Sequence, residues 1–258
     1  MIVDICAYFG KWPYWPVDIS TSAAVVEELG RCGIDRAAVC STRGLFVGWE
    51  EGNDETAQAV RAFPQQLLGF ACLGPLELSH TLRVREFDFD KLQARGFRGV
   101  RLYPQYHTYH PLYEPFVEQV LEDAAARQWP VLLPLRVIMN WGLPQISLDW
   151  IATLVERHPR VPWILSGINY FHELQAAASL MRRHSSVHLE TSCVQGFNAL
   201  AKLVEQCGSG NLLLGTGLPL QNGSANLEKV LRARISDAAR EHILGMNACR
   251  LLGIESSQ

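Results

Sequence analysis

The chain has 258 residues, 48% of them hydrophobic, which is enough for one large core. Its formal net charge is -3, with acidic and basic residues interspersed, which excludes a polybasic nucleic-acid or membrane surface and leaves a small molecule as the expected partner. Seven cysteines, odd in number and without a CxxC pair, read as reduced thiols. No apolar run reaches the roughly 20 residues that span a bilayer, and no basic leader precedes the first strand pattern, so a cytoplasmic location is expected.

In chain order, residues 2–6 read as a strand and 10–16, with two prolines and two tryptophans, as a wide aromatic loop. A helix runs from about Ser20 to Gly30 or Gly33, followed by a strand over 36–41. A loop through Gly44 and Gly48 leads to a helix capped near Asn53 and stopped before Pro64, then to a strand over 67–73. A helix over 88–95 precedes the fourth strand, 98–103.

Tyr113, Phe116, Val117, Val120, Leu121 and Ala124 recur at three- and four-residue steps, placing an apolar face on a helix entered through Pro115. Strands over 131–135, 161–166, 187–191 and 212–215 alternate with helices over 148–158, 171–183 and 197–207. Two helices close the chain, 226–234 and 237–252, the last capped by Ser236. Strand starts recur at roughly the 30-residue length of a βαβ unit, and the strands are apolar nearly throughout, as expected when both faces are covered. Eight units without a composition break predict an α/β protein, a (β/α)8 TIM barrel, in one domain over 1–258 with an extra C-terminal helix. No GxGxxG follows a strand, which weakens a dinucleotide-binding alternative.

The densest set of proton-transfer groups lies between Gly99 and Pro111. Arg101 and Tyr103 share one parity of a strand that breaks at Pro104 into a loop bearing Tyr106, His107, Tyr109 and His110. In a barrel of this kind the pocket forms at the carboxyl ends of the strands. Those positions hold Cys6, Tyr8, Cys72, Arg101, Tyr103, His107, His110, Arg136, Ser166, Asn169, Glu190, Ser192 and Thr216. Arg101 and Arg136 suit a carboxylate or phosphate, since a guanidinium forks onto either; each can equally pair with an acid such as Glu190. His107 is the first candidate for general acid or base. Tyr103, His110 and Tyr8 complete the catalytic candidates. Asn140, Asn169, Glu190, Ser192, Cys6 and Trp12 join the two arginines as candidate substrate contacts. Cys6 lacks the electropositive setting that makes a thiol reactive. Trp12, with Tyr14 and Trp15, is expected to roof the pocket, plug it or form a subunit contact.

Met1-Ile2-Val3-Asp4-Ile5-Cys6-Ala7-Tyr8 resembles the opening of the amidohydrolase superfamily, in the branch that includes aminocarboxymuconate-semialdehyde decarboxylase and pyrone-dicarboxylate lactonase. Gly99-Val100-Arg101-Leu102, Gln128-Trp129-Pro130-Val131, His158-Pro159, Gly215-Thr216-Gly217-Leu218-Pro219 and the run from Ile243 to Leu251 fit the same pattern. The resemblance implies a metal held by an His-x-His pair on the first strand, histidines after the fifth and sixth, and an aspartate after the eighth. Here those positions hold Cys6 and Tyr8, Pro134, Gly167 and Gly217, and Arg101 cannot be carbamylated as a strand-four lysine can. The expectation is therefore no metal and no cofactor. Cys6, His107, His110, Cys193 and Glu190 form no compact motif for a substitute site. The resemblance implies a metal-independent hydrolase acting on a small carboxylated or oxygen-rich substrate by acid/base catalysis. A decarboxylase or other carbon-carbon lyase, and a non-catalytic binding barrel, are the alternatives, and a homo-oligomer such as a dimer is expected.

Overall fold

A computed structural model describes residues 1–75, 87–139 and 142–255. The first half comprises β1 (Val3–Phe9), α1 (Ser22–Cys32), β2 (Arg36–Ser41), α2 (Arg43–Phe46), α3 (Trp49–Ala62) and β3 (Leu67–Leu73). Next come α4 (Phe89–Ala94), β4 (Phe97–Leu102), α5 (Pro104–His107), α6 (Pro115–Arg127) and β5 (Val131–Pro134). The rest is α7 (Leu148–Arg157), β6 (Trp163–Ser166), α8 (Phe171–Arg183), β7 (Val187–Glu190), α9 (Ala199–Cys207), β8 (Leu212–Leu213) and α10 (Gly223–Leu231). The chain then runs through α11 (Asp237–Glu241), a π turn (His242–Met246) and α12 (Asn247–Leu252).

The strands are parallel and lie side by side in sequence order from β1 to β8. Ile5 N–H donates to the Leu214 carbonyl at 2.8 Å and Gly217 N–H to that of Cys6 at 2.7 Å, which brings the last strand back against the first. The result is the (β/α)8 barrel. Side chains alternate across each strand. Val39, Ala71, Val100 and Leu133 face the helices, whereas Ala38, Phe70, Cys72 and Leu132 face the barrel interior. Because both faces are covered, the strands read as continuous apolar runs.

Three boundaries differ from expectation for physical reasons. β1 extends through Phe9, so Tyr8 is a strand residue rather than part of a following loop. α3 starts at Trp49, because Gly48 is its N-cap; Asn53 lies inside the helix. The buried Asn53 amide donates to the Cys72 carbonyl and accepts the Cys72 N–H, both at 2.8 Å, tying α3 to β3. The closing helix is interrupted by the π turn, whose loosened backbone lets the Ile243 carbonyl accept Leu214 N–H at 2.9 Å. Gly245 in that turn abuts the Met1 carbonyl, where an added Cβ would lie at 2.1 Å. Among the described residues no helix is long and apolar enough to cross a membrane.

Candidate functional site

Arg101 is fully buried, and its guanidinium turns into the barrel rather than toward the mouth. Nη1 donates to the Ala7 carbonyl at 3.1 Å and the Cys40 sulfur at 3.4 Å; Nη2 donates to the carbonyls of Ala38 at 2.8 Å and Ile5 at 3.4 Å. The rings of Tyr8 and Phe70 flank it at 4.8 and 5.5 Å. Its parity was legible, but its expected role as an anion hook is corrected: four acceptors on β1 and β2 occupy the fork. Tyr8, Tyr103 and Cys6 share this interior, and burial pushes all three well above their ordinary values, so they stay protonated.

Arg136 pairs with an acid, as one reading of the sequence has it, but the acid is Glu173. Nη2 and Nη1 reach the two Glu173 oxygens at 2.5 and 2.8 Å, Nη1 also reaches the Gly167 carbonyl at 2.7 Å, and Gln145 accepts from the remaining edge. Burial alone would raise the Glu173 carboxyl, yet Arg136 and the N–H groups of Asn169 and Tyr170 hold it below its usual value. The pair anchors the loop between β6 and α8.

Glu190 ends β7 in a fully bonded network. Its oxygens accept from Ser166 Oγ at 2.7 Å, Ser192 N–H at 2.6 Å and Ser192 Oγ at 2.8 Å. Cys6 Sγ lies 3.9 Å from Ser166 Oγ and 3.8 Å from the Tyr8 hydroxyl. Two residues that the sequence reading passed over complete this sector. Burial pushes the Asp4 carboxyl up to about 6, although it accepts the Thr216 hydroxyl and the N–H groups of Cys6 and Thr216. Lys229 Nζ is brought down to about 8 by burial and donates to the carbonyls of Thr191 and Ser192 and to Asn226 Oδ1. An acid inside an apolar strand was a readable signal for Asp4; a lysine on a helix gave none for Lys229.

The family's metal does not fit these residues. An added Cβ at Gly167 would lie 2.0 Å from the Arg136 carbonyl oxygen, at a backbone φ of +71°. At Gly217 it would meet Gln221 Nε2 at 2.7 Å, at a φ of +67°. The Arg136 backbone has closed on Gly167, the Gln221 side chain lies against Gly217, and Pro134 offers no donor. Among the described residues, no three His, Cys, Asp or Glu side chains converge to hold a metal ion.

Above the interior, rings close the mouth. Trp12 contacts Tyr14, Trp15 and Phe46 at 5.4, 5.5 and 5.2 Å, Phe46 contacts Tyr106 at 5.2 Å, and Trp12 is buried. The aromatic loop is a plug. Beside it, the turn after β4 carries hydrogen-bonding groups with no partner among the described residues: Gln105 Oε1, the Tyr106 and Tyr109 hydroxyls, and His107 Nδ1. His107 Nε2 lies 2.9 Å from the Gly44 carbonyl, which only accepts, so the proton sits on Nε2 and Nδ1 presents a bare lone pair. Burial lowers its pKa below 6.5, leaving the ring neutral at pH 7. Gln105, Tyr106 and His107 are half-buried residues whose unpartnered atoms are themselves buried.

His110 does not join them. It braces the loop before α6 against Trp150, with ring centroids 4.0 Å apart, and accepts from Leu112 N–H. Asn169 lines a separate cleft of about 520 Å³ between α8 and α9. Asn140 lies outside the described residues.

With this geometry in hand, comparison with known proteins places the chain. The family model described as Amidohydrolase matches residues 49–254, and the chain belongs to that family. No curated protein matches it in sequence. Among solved structures, it is similar to a putative 2-pyrone-4,6-dicarboxylic acid hydrolase from Pseudomonas putida, with 19% identity, a TM-score of 0.74, and coverage of 99% of this chain and 98% of that one. It is also similar to 5-carboxyvanillate decarboxylase from Sphingomonas paucimobilis, with 17% identity, a TM-score of 0.72, and coverage of 98% and 99%. A third is 4-oxalomesaconate hydratase from Rhodopseudomonas palustris, at 14% identity, a TM-score of 0.69, and coverage of 98% and 96%. At these identities the likeness is one of fold.

Proposed function

We propose that this chain is a metal-independent enzyme acting on a small carboxylated or oxygen-rich substrate by acid/base catalysis, with hydrolysis as its reaction. The observation that carries the reading is His107: a neutral imidazole, its tautomer set by the Gly44 carbonyl, whose buried Nδ1 is the basic nitrogen and has no partner among the described residues. The unpartnered Tyr106 and Tyr109 hydroxyls beside it supply donors for an oxygen-rich ligand. In hydrolysis, Nδ1 takes a proton from the attacking water and returns it to the leaving oxygen. The carboxylated compounds named for the three structural neighbours guide the choice of substrates to test.

The test is a panel of planar carboxylates and lactones assayed in H2 18O. The expected result is solvent oxygen in the product, with kcat/KM lowered roughly 10²- to 10⁴-fold in His107→Gln. Because burial lowers the His107 pKa, activity should hold through neutral pH and fall only as pH drops below 6.5. Release of carbon dioxide without label would assign a lyase instead. A second reading, a binding barrel without catalysis, is favoured by the aromatic plug and the closed ligand positions; saturable ligand binding with no turnover would establish it.

A further inference from the structure

We propose that the cleft between α8 and α9 is a binding site for an amphipathic monocarboxylate, separate from the His107 edge. It is formed on the loops after β6 and β7, whereas His107 lies in the turn after β4. Its volume of about 520 Å³ is that of a small-molecule site. Phe171, Leu174, Ala199 and Leu203 make apolar walls, and Lys202 is the one charged residue lining it. A concavity with a lone cation and no acid, in a chain of net charge -3, is complementary to an anion.

The geometry sets the ligand's two ends. α9 begins at Ala199 with no side-chain cap, and the exposed Lys202 stands at this end of the helix, so the helix's positive end and the ammonium both favour a carboxylate there. The body of the ligand lies over Leu174 and Leu203. Phe171 and Phe197 are 69% and 84% exposed, and a hydrocarbon or aromatic body in the cleft removes water from both rings. A neutral amide of the same shape fills the walls but leaves Lys202 without its counter-ion.

The experiment is calorimetric titration of the intact chain with phenylacetate and octanoate, against phenylacetamide and octanamide. Saturable 1:1 binding of a carboxylate, with the matching amide weaker, is expected. Lys202→Gln should weaken that binding roughly tenfold, the worth of a charge-assisted hydrogen bond. Leu203→Trp should fill the cleft and abolish binding; Phe197→Ser, a change at an exposed ring that leaves the core intact, should weaken it if the fuller variant misfolds. His107→Gln should bind normally, which separates this site from the proposed active site. Equal affinity for amide and carboxylate, no effect of Lys202→Gln, or no saturable binding would overturn the assignment. A self-association that Phe197→Ser dissolves would also overturn it, by giving the cleft to a second copy of the chain.

Discussion

Two polar regions at the carboxyl face of the barrel behave in opposite ways. From β6 round through β8 to β1, Ser166, Glu190, Ser192, Thr216 and Asp4 are bonded to one another or to backbone, and the Arg136–Glu173 pair closes the neighbouring loop. In the turn after β4, four side chains keep hydrogen-bonding atoms with no partner among the described residues. Buried polar atoms are nearly always satisfied, so a concentration of unsatisfied ones marks where a ligand or water completes the structure. The bonded sector is architecture, and the unbonded turn is the candidate for chemistry. Chemical type alone does not separate the two, since both are rich in groups that catalyse reactions elsewhere.

The largest test of this division is Arg101, whose two Nη groups are bonded on the architectural side although its buried Nε has no partner among the described residues. Arg101→Met removes a buried cation and leaves the carbonyls of Ile5, Ala7 and Ala38 without their donor. Each buried carbonyl left unsatisfied costs about 1–3 kcal/mol, so with three of them urea denaturation should show a drop of about 3 kcal/mol or more. A loss below about 1 kcal/mol would mean the guanidinium is free to serve a ligand.

A somewhat smaller effect is expected at Asp4, where pH reads the burial directly. Its carboxyl rises from 3.8 to about 6 on folding, so the folded chain holds the proton more tightly than the unfolded one. The stabilisation this brings is complete below pH 3.8 and is lost as pH rises through about 6, amounting to about 3 kcal/mol. His107 and His188, both lowered from 6.5 by burial, act in the other direction: their contribution is present above 6.5 and lost as pH falls. Asp4→Asn should remove the first slope and leave the second, so that stability measured by denaturation falls more steeply on acidification than in the parent. An unchanged profile would show that Asp4 titrates normally.

The barrel was legible because its signals are local: apolar runs of strand length, amphipathic helices and a regular spacing. The site was legible only in part. Arg101 and Tyr103 were rightly put on one parity, but parity does not say whether a side chain rises to the mouth or folds back under the rings of Tyr8 and Phe70. Glu173 was unreadable as the partner of Arg136, since the contact spans 37 residues and depends on how the loop after β6 turns. Asn53 misled for a related reason. Its type signals a helix cap, and its use in tying down Cys72 is set by packing across 19 residues.

The smallest effect is the sharpest discriminator. The Tyr109 hydroxyl is buried and has no partner among the described residues. Tyr109→Phe should therefore leave stability within about 0.5 kcal/mol of the parent, or raise it, because the penalty for an unmet buried hydroxyl disappears. Ser192→Ala, by contrast, deletes a donor 2.8 Å from the Glu190 carboxylate and should cost about 1–3 kcal/mol. The same pair should invert in function: Tyr109→Phe should lower turnover or ligand affinity, whereas Ser192→Ala should act through stability alone. Chemical denaturation and steady-state kinetics on the two variants check both halves. If Tyr109→Phe destabilises by more than about 1 kcal/mol, its hydroxyl is already bonded in the folded chain, and the contrast between the two regions collapses at the residue where it is drawn most finely.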